Sequence, residues 1–295
     1  MEKYYVLFNP IAGNHTGEAE AKKLADCDAL KEAELVFCDM TQIADYSAFF
    51  AKLSEEDKII LAGGDGTLNR FVNDTDGLSI PNEIYYYATG SGNDFLHDLG
   101  KEKGSAPILI TPYLQNLPTV TVQGKDYRFI NGVGYGIDGY CCEVGDRLRG
   151  TTDKPINYAA IAIKGLLFHY PPTNAVVTVD GVRHSYHKVW LAPTMNGRFY
   201  GGGMMTAPQQ ERLGNGSVST VLMFGSGKLK TLMVFPSIFK GEHVKHTEMV
   251  AVHTGRNITV EFDRPTALQI DGETILGVTG YTIKAGKTAD TFAKV

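Results

Sequence analysis

The chain has 295 residues, of which 43% are hydrophobic and 21% charged, and this length predicts about two domains at roughly 150 residues each. Hydrophobicity this high excludes a globally disordered chain. The 28 basic and 33 acidic side chains give a formal net charge of −5. That balance excludes a broad basic nucleic-acid surface, but not a local cationic pocket.

Targeting and redox signals favour the cytoplasm. The apolar run at residues 4–8 is too short for a signal peptide, and no run approaches the length that spans a bilayer. The four cysteines form no Cys-x-x-Cys pair, so we expect free thiols in a reducing compartment. The sequence therefore predicts a soluble, cytoplasmic protein without a nucleic-acid partner.

Strand and helix signals alternate through the first half. Short apolar runs predict strands at residues 4–8, 34–38, 58–62 and 84–88. Helix-favouring composition or spacing predicts helices at residues 18–30, 44–53 and 68–72. Such alternation is typical of βαβ units, so we expect an α/β domain whose parallel sheet is covered on both faces.

Alternation with a period of two replaces this pattern after about residue 117. Runs such as residues 119–122 and 175–179 are separated by turn dipeptides with glycine second, which begin at Gln123, Asp180, Asn196, Asn215 and Asp271. The pattern predicts an antiparallel β-sandwich, interrupted by helices at residues 156–168 and 228–239. We expect domains at residues 1–120 and 121–295, and a return of the extreme C-terminus to the first domain stays open.

A strand–loop–helix segment at residues 58–69 carries Gly63-Gly64-Asp65-Gly66-Thr67 in its loop. Glycines let main-chain N–H groups approach an anion without a Cβ in the way, and the helix N-terminus adds partial positive charge. With Thr67 as N-cap and Asp65 holding Mg²⁺, the loop suits a triphosphate. A tight βα turn with a local Asp65 bond is the alternative.

Two further loops favour the nucleotide interpretation. The strand at residues 84–88 leads into Thr89-Gly90-Ser91-Gly92-Asn93-Asp94, and the first strand ends in Asn9-Pro10-Ile11-Ala12-Gly13. Open α/β sheets bind ligands beyond the carboxyl ends of their strands. Three glycine-bearing loops at that edge predict a nucleotide site.

These loops resemble the diacylglycerol kinase catalytic-domain family, whose bacterial members are soluble lipid kinases and whose relatives include sphingosine and ceramide kinases. The resemblance continues in order and spacing over nearly the whole chain, in Asn131, Gly136-Ile137-Asp138, Gly201-Gly202-Gly203-Met204, Ala207-Pro208, Lys240-Gly241-Glu242-His243 and Asp271-Gly272-Glu273. It implies a nucleotide-binding α/β domain followed by a β-sandwich domain that binds lipid, with the active site in the cleft between them.

The resemblance also implies roles for individual residues. Asp65 and Asp94 would hold Mg²⁺, directly or through water, and the Asp271-Gly272-Glu273 segment would supply the base. The candidate ATP-binding residues are Asn9, Gly13, Thr41, Gly64, Asp65, Gly66, Thr67, Leu68, Asn69, Arg70, Gly90, Ser91 and Asn93. From the residues alone, Asp271-Gly272 is a hairpin turn, and the choice between Asp271 and Glu273 as base stays open.

Some positions depart from the family or carry weaker signals. Arg70 stands where the family has an acidic residue, and a solvated position on the helix is favoured over a phosphate contact. The loop at residues 212–219 has neutral Asn and Ser where the family has carboxylates, so we do not expect its structural Mg²⁺ here. We expect Cys141 and Cys142 in a strand, and His243 and His246 on the surface.

We therefore expect an ATP- and Mg²⁺-dependent kinase of a lipid hydroxyl, first of all that of diacylglycerol, which would yield phosphatidic acid. Its lipid substrate would be met by peripheral, transient contact with a membrane surface, and packing of residues 156–168 over the sandwich is favoured over membrane insertion. The alternatives are an NAD kinase, which shares the Gly-Gly-Asp-Gly-Thr loop, and a non-catalytic nucleotide-binding regulatory protein. The acceptor lipid and a homodimer stay open.

Overall fold

A computed structural model of the protein describes residues 1–90, 92–149, 156 and 158–286. The chain separates into two compact units, Met1–Asn116 and Leu117–Val295. Each unit has its own sheet and its own core. The expectation about the extreme C-terminus concerns residues 287–295, which lie outside the described residues.

A mainly parallel sheet forms the centre of the first unit. Its strands are β1 (Lys3–Phe8), β2 (Glu34–Asp39), β3 (Lys58–Gly63), β4 (Ile84–Ala88) and β5 (Ile108–Leu109), in the order β2-β1-β3-β4-β5. The first four are parallel, as predicted, and β5 is added antiparallel to β4 at the edge. The central β3 is buried over nearly its whole length, because helices cover both faces of such a sheet.

Short helices connect these strands. They are α1 (Ala12–His15), α2 (Gly17–Lys22), α3 (Tyr46–Phe50), α4 (Asp65–Asp74), α5 (Asp94–Asp98) and α6 (Thr111–Leu114), with 3₁₀ turns at Lys23–Asp26, Asp28–Leu30 and Met40–Gln42. The α-helix predicted at residues 18–30 ends at Lys22. Asp26 and Asp28 follow, and aspartate disfavours a helix interior because its side chain competes for main-chain hydrogen bonds.

The second unit is built on a large antiparallel sheet. The strands of this unit are β6 (Thr119–Val122), β7 (Lys125–Arg128), β8 (Gly132–Tyr135), β9 (Thr173–Val179), β10 (Val182–Val189), β11 (Thr194–Met195), β12 (Phe199–Tyr200), β13 (Met204–Met205), β14 (Val218–Met223), β15 (Val250–Gly255), β16 (Asn257–Ile270) and β17 (Glu273–Lys284). Strands β12 and β13 form a separate two-stranded sheet, and the other ten belong to the large sheet. The order is β15-β14-β11-β8-β16-β17-β6-β7, and β9 pairs with β16 and β10. The long strand β16 pairs with β9 along its first part and with β8 along its last part. The predicted antiparallel fold is confirmed.

Three of the predicted turn dipeptides are tight hairpins. The turns that begin at Gln123, Asp180 and Asp271 have positive φ at both residues, which is the type I′ geometry that Asp-Gly favours. Asn196 and Asn215 instead lie in connections that join strands which are not hydrogen-bonded to each other.

The helices of the second unit include one that the sequence did not reveal. They are α7 (Ile137–Arg149), α8 (Tyr158–Lys164) with a π-helical turn Gly165–His169, and α9 (Lys228–Val234), with 3₁₀ turns at Phe235–Lys240 and Glu242–Lys245. The prediction that Cys141 and Cys142 lie in a strand is therefore wrong. Gly136, at φ 113°, turns the chain out of β8, and Gly139 brings α7 so close to β16 that a Cβ would lie 2.0 Å from the Ala267 carbonyl oxygen.

Candidate active site

The carboxyl ends of the parallel strands meet at one edge of the first unit's sheet. Phe8, the last residue of β1, is level with Asp39 of β2 and Ala62 of β3, and Gly63 is level with Ala88 of β4. The loops that follow these residues therefore leave the sheet side by side. They contain the predicted nucleotide-binding positions.

The loops after β3 and β4 touch through their glycines. The Thr89 amide donates to the Gly63 carbonyl oxygen at 2.8 Å. A Cβ on Gly90 would lie only 2.7 Å from the Gly64 Cα. Any side chain at Gly90 would therefore force these two main-chain segments apart, which explains the glycine there.

Asp65 fastens the same two loops together. Its carboxylate accepts hydrogen bonds from the main-chain amides of Asp94, at 2.8 Å, and Phe95, at 3.0 Å. These amides belong to the first turn of α5, so Asp65 satisfies donors that the helix itself leaves open. The alternative of a bond confined to the Asp65 turn does not match this arrangement.

The N-terminus of α4 faces outward at Gly66. Gly66 is exposed, and apart from its chain neighbours and the backbone of its own helix no heavy atom lies within 4 Å of the position a Cβ would take. Gly64, not Thr67, is the N-cap of α4, so that prediction for Thr67 is wrong. Thr67 packs on Gly63, and Leu68 and Asn69 are buried. This helix end is open to an anion through main-chain groups.

Two carboxylates share this neighbourhood. Asp94, in the first turn of α5, is 6% exposed. Burial first, and then the negative charges of Asp65 and Asp94, raise the pKa of the Tyr86 hydroxyl. The carboxylates therefore lie within electrostatic reach of one buried phenol.

Four other predicted nucleotide-binding residues, Asn93, Asn9, Thr41 and Gly13, differ in their surroundings. Asn93 has φ 50°, and its buried Oδ1 has no hydrogen-bond partner among the described residues. Asn9 and Thr41 stabilise their own loops: Asn9 Oδ1 accepts from the Ile11 amide, and the Thr41 hydroxyl donates to Asp39. Gly13 lies in α1.

Arg70 and Ser91 complete the set. The Arg70 Nε lies 3.2 Å from Asp74 Oδ2 one turn along α4, at a side-chain exposure of 44%. This solvated ion pair matches the favoured interpretation of its sequence position. Ser91 lies outside the described residues.

The second unit presents a different pair of acidic groups at the β16–β17 turn. Asp271 has φ 46°, and its carboxylate accepts from the amides of Ile130, Asn131 and Gly132 at 2.5, 2.8 and 3.0 Å. The Glu273 side chain is exposed and makes no hydrogen bond or ion pair with a described residue. Asp271 therefore stabilises the turn, and Glu273 projects from it.

Asp138 is a buried acid to which sequence reasoning assigned no role. Its Oδ2 accepts from the Tyr200 hydroxyl at 3.0 Å, and its solvent-inaccessible Oδ1 has no hydrogen bond to a described residue. Burial raises the Asp138 pKa to about 6, against the opposing effect of the Tyr200 hydroxyl. The Gly136-Ile137-Asp138 motif marked the position but not its burial.

His243 also differs from its prediction. It is 1% exposed rather than on the surface, and its Nε2 lies 3.0 Å from the Thr206 carbonyl oxygen. Desolvation lowers its pKa to about 4, so the ring is neutral at pH 7 and holds two loops together.

Comparison with known proteins gives the family. Residues 3–117 match the diacylglycerol kinase catalytic domain, and residues 131–285 match the YegS C-terminal NAD kinase beta sandwich-like domain. A diacylglycerol kinase of Mycobacterium tuberculosis is 27% identical over 216 residues, which are 71% of this chain and 67% of the relative. A diacylglycerol kinase of Bacillus subtilis is 24% identical over 286 residues, which are 92% of this chain and 90% of the relative.

A solved structure agrees at the level of the fold. The crystal structure of a diacylglycerol kinase from Bacillus anthracis superposes with a TM-score of 0.65 at 18% identity, and covers 97% of this chain and 94% of that one. At this identity the likeness shows the fold. This chain belongs to the diacylglycerol kinase catalytic-domain family of lipid kinases.

Proposed function

We propose that this protein is an ATP- and Mg²⁺-dependent kinase that converts diacylglycerol to phosphatidic acid. The observation that carries the proposal is the joined pair of glycine loops, in which Asp65 ties the start of α5 beside the open N-terminus of α4. The names of its relatives favour diacylglycerol as the acceptor.

ATP would be held mainly by main-chain donors. The phosphates would lie against Gly64, Gly66 and the first turn of α4, where exposed amides and the helix dipole favour negative charge. Asn93 Oδ1, which has no hydrogen-bond partner among the described residues, is an acceptor that a donor group of the nucleotide could use. The buried side chains of Leu68 and Asn69 would act by fixing this loop rather than by touching the nucleotide.

The residues present fit Mg²⁺ bound together with the nucleotide. No three His, Cys, Asp or Glu side chains gather into a metal-holding group anywhere in the described ranges. Asp65 and Asp94 nevertheless lie near one another, and Mg²⁺ takes one or two carboxylates along with substrate phosphates and water. Bound there, the ion would neutralise charge on the transferring phosphoryl group.

Glu273 is the better candidate for the base. Asp271 already accepts three main-chain amides, so an incoming hydroxyl would compete with the bonds that hold the turn. Glu273 is exposed and has no such partners among the described residues. In the proposed step it accepts the proton of the lipid hydroxyl, whose oxygen bonds to the γ-phosphorus as the bond from that phosphorus to ADP breaks.

The acceptor would be met at a membrane surface rather than within it. The described helices include none with both the length and the apolar character needed to cross a bilayer. Peripheral, transient contact with the inner face of the cytoplasmic membrane would bring the enzyme to its substrate. We place the protein in the cytoplasm on the same proposal.

A panel assay tests the function. The purified protein is incubated with ATP, Mg²⁺ and a set of acceptors that includes diacylglycerol, ceramide, sphingosine, phosphatidylglycerol and NAD, and products are identified by mass spectrometry. Phosphatidic acid as the main product supports the proposal. NADP as the main product would identify an NAD kinase, and ATP binding without transfer to any acceptor would identify a regulatory protein.

A further inference from the structure

Helix α9 exposes two large apolar side chains and buries a polar one. Leu229 is 72% exposed and Met233 is 75% exposed, while Thr231 is fully buried between them in sequence. Leu229 and Met233 are four residues apart and therefore share one face of the helix. The buried Thr231 hydroxyl has its partners in Ser226 and the Gly227 carbonyl oxygen. Leu229 and Met233 are thus directed to solvent, while the other apolar side chains of α9, Leu232 and Val234, pack in the core.

The π-helical turn after α8 adds a third exposed side chain beside this helix. Phe168 is 71% exposed. The turn that carries it packs against α9, and the Lys228 Nζ of α9 donates to the Leu167 carbonyl oxygen at 2.8 Å. Phe168, Leu229 and Met233 are called the exposed apolar patch below.

The two segments that carry the exposed apolar patch contain lysines and no acidic residue. Residues 158–169 and 227–241 contain no Asp or Glu, and they carry Lys164, Lys228, Lys230 and Lys240. Lys164, Lys228 and Lys240 are exposed, and Lys230 is paired with Glu248 at 2.9 Å. The chain as a whole has a net charge of −5, so this local excess of lysine runs against the overall composition.

We propose that the exposed apolar patch and its lysines form the surface by which the protein docks on an anionic phospholipid bilayer. Large apolar side chains gain free energy when they leave water for the acyl region, and lysines at the same level are attracted to anionic headgroups. Lysine stems also bury their methylenes while the ammonium stays in water. This surface deepens the proposed function, because it would hold a lipid kinase where its acceptor is found.

Charge favours a bilayer over a second copy of the chain as the occupant. A dimer that closed over this patch would bring the same lysines of both copies together with no acidic residue on these segments to pair them. An anionic bilayer instead supplies negative charge around every apolar side chain. The second copy is therefore an outcome that the experiment must distinguish.

Vesicle flotation tests the surface independently of catalysis. The full chain is floated with vesicles of phosphatidylcholine alone and with vesicles that also contain phosphatidylglycerol. We compare the wild type with Phe168→Ser and with the Leu229→Ser/Met233→Ser double variant. Val182→Ser is the matched control, because Val182 is also exposed, at 60%, but lies on β10.

The proposal expects the wild type to float with anionic vesicles and the double variant to lose at least tenfold in partition coefficient, since each buried aliphatic side chain contributes roughly that factor. Lys164→Gln/Lys240→Gln should lower binding to anionic vesicles and leave binding to neutral vesicles unchanged. Val182→Ser should float like the wild type. Equal flotation of the wild type and the double variant would overturn the proposal, as would a concentration-dependent dimer that the double variant abolishes.

A second readout separates this inference from the function on which it rests. Kinase activity is measured on short-chain diacylglycerol in detergent micelles and on long-chain diacylglycerol in vesicles. The double variant should keep its micelle activity and lose vesicle activity at least tenfold. If the protein phosphorylates no lipid but the flotation differences hold, the function fails and the docking surface stands.

Discussion

The buried acid Asp138 predicts how the unfolding free energy of the protein changes with pH. The Asp138 carboxylate accepts from the Tyr200 hydroxyl and lies near the Cys141 thiol. Its other oxygen has no hydrogen bond to a described residue. Ionisation places a charge where water cannot solvate it. Asp138→Asn preserves the shape and removes the titration.

The raised pKa of Asp138 sets the size of the effect on the unfolding free energy. Burial raises the Asp138 pKa from 3.8 to about 6, and at about 1.4 kcal/mol per pH unit this makes the ionised form about 3 kcal/mol less favourable in the folded state than in the unfolded chain. A raised pKa contributes stability that is complete below the unfolded value and is lost as the pH rises through the folded value. Of the total, about 1 kcal/mol is lost between pH 5 and pH 8 by the same linkage relation.

Urea unfolding at pH 5 and pH 8 measures this loss in the wild type and in Asp138→Asn. The variant should gain about 1 kcal/mol in unfolding free energy relative to the wild type as the pH is raised over this interval. Asp146→Asn, which removes an exposed charge from the same helix, controls for the change in net charge. An identical pH dependence of Asp138→Asn and wild type would refute the assignment of a buried, titrating acid.

Three further outcomes are expected. Asp65→Ala should lower the unfolding free energy by about 1–3 kcal/mol, because it strands two helix amides, while Asp65→Asn keeps an acceptor and loses less; equal stability of Asp65→Ala and wild type would argue against the loop tie. Glu273→Gln should lower kcat by roughly 10²–10⁴ without changing the melting temperature. Asp271→Asn should instead lower the melting temperature, because it weakens the hydrogen bonds that hold the turn. The reverse pattern would exchange their roles. Desolvation and the nearby His184 lower the pKa of His253. Its contribution to stability is therefore present above pH 6.5 and lost on acidification. His253→Gln should lose less unfolding free energy from pH 7 to pH 5 than the wild type, and equal losses would contradict this.

The four parallel strands of the first unit were predictable because each is marked by a local sequence signal. The apolar run of β3 ends at Gly63, and the glycine loop and α4 follow in immediate succession. The strands of β1 and β4 were bounded by the same kind of signal. What the sequence could not supply was the partner of Asp65, because the amides of Asp94 and Phe95 are about thirty residues away and meet it only through strand order.

The second unit shows where local signals fail. Helix α7 begins at Ile137 and contains Cys141 and Cys142, which the sequence predicted to lie in a strand. Gly139 is what allows this helix to lie close to β16. The burial of Asp138 and of His243 is likewise a property of tertiary packing. A polar residue in a pattern of mixed polarity gives no sign of whether it is solvated or enclosed.

We propose above that this chain transfers the γ-phosphoryl group of ATP to diacylglycerol. The most direct measurement is phosphatidic acid formed from diacylglycerol and ATP, quantified by mass spectrometry in the presence of Mg²⁺ and after its removal by a chelator, with NAD offered in parallel. We expect phosphatidic acid from the wild type with Mg²⁺, a loss of product after chelation, and no NADP. Formation of NADP without phosphatidic acid, or ATP binding with no phosphorylated product, would contradict it.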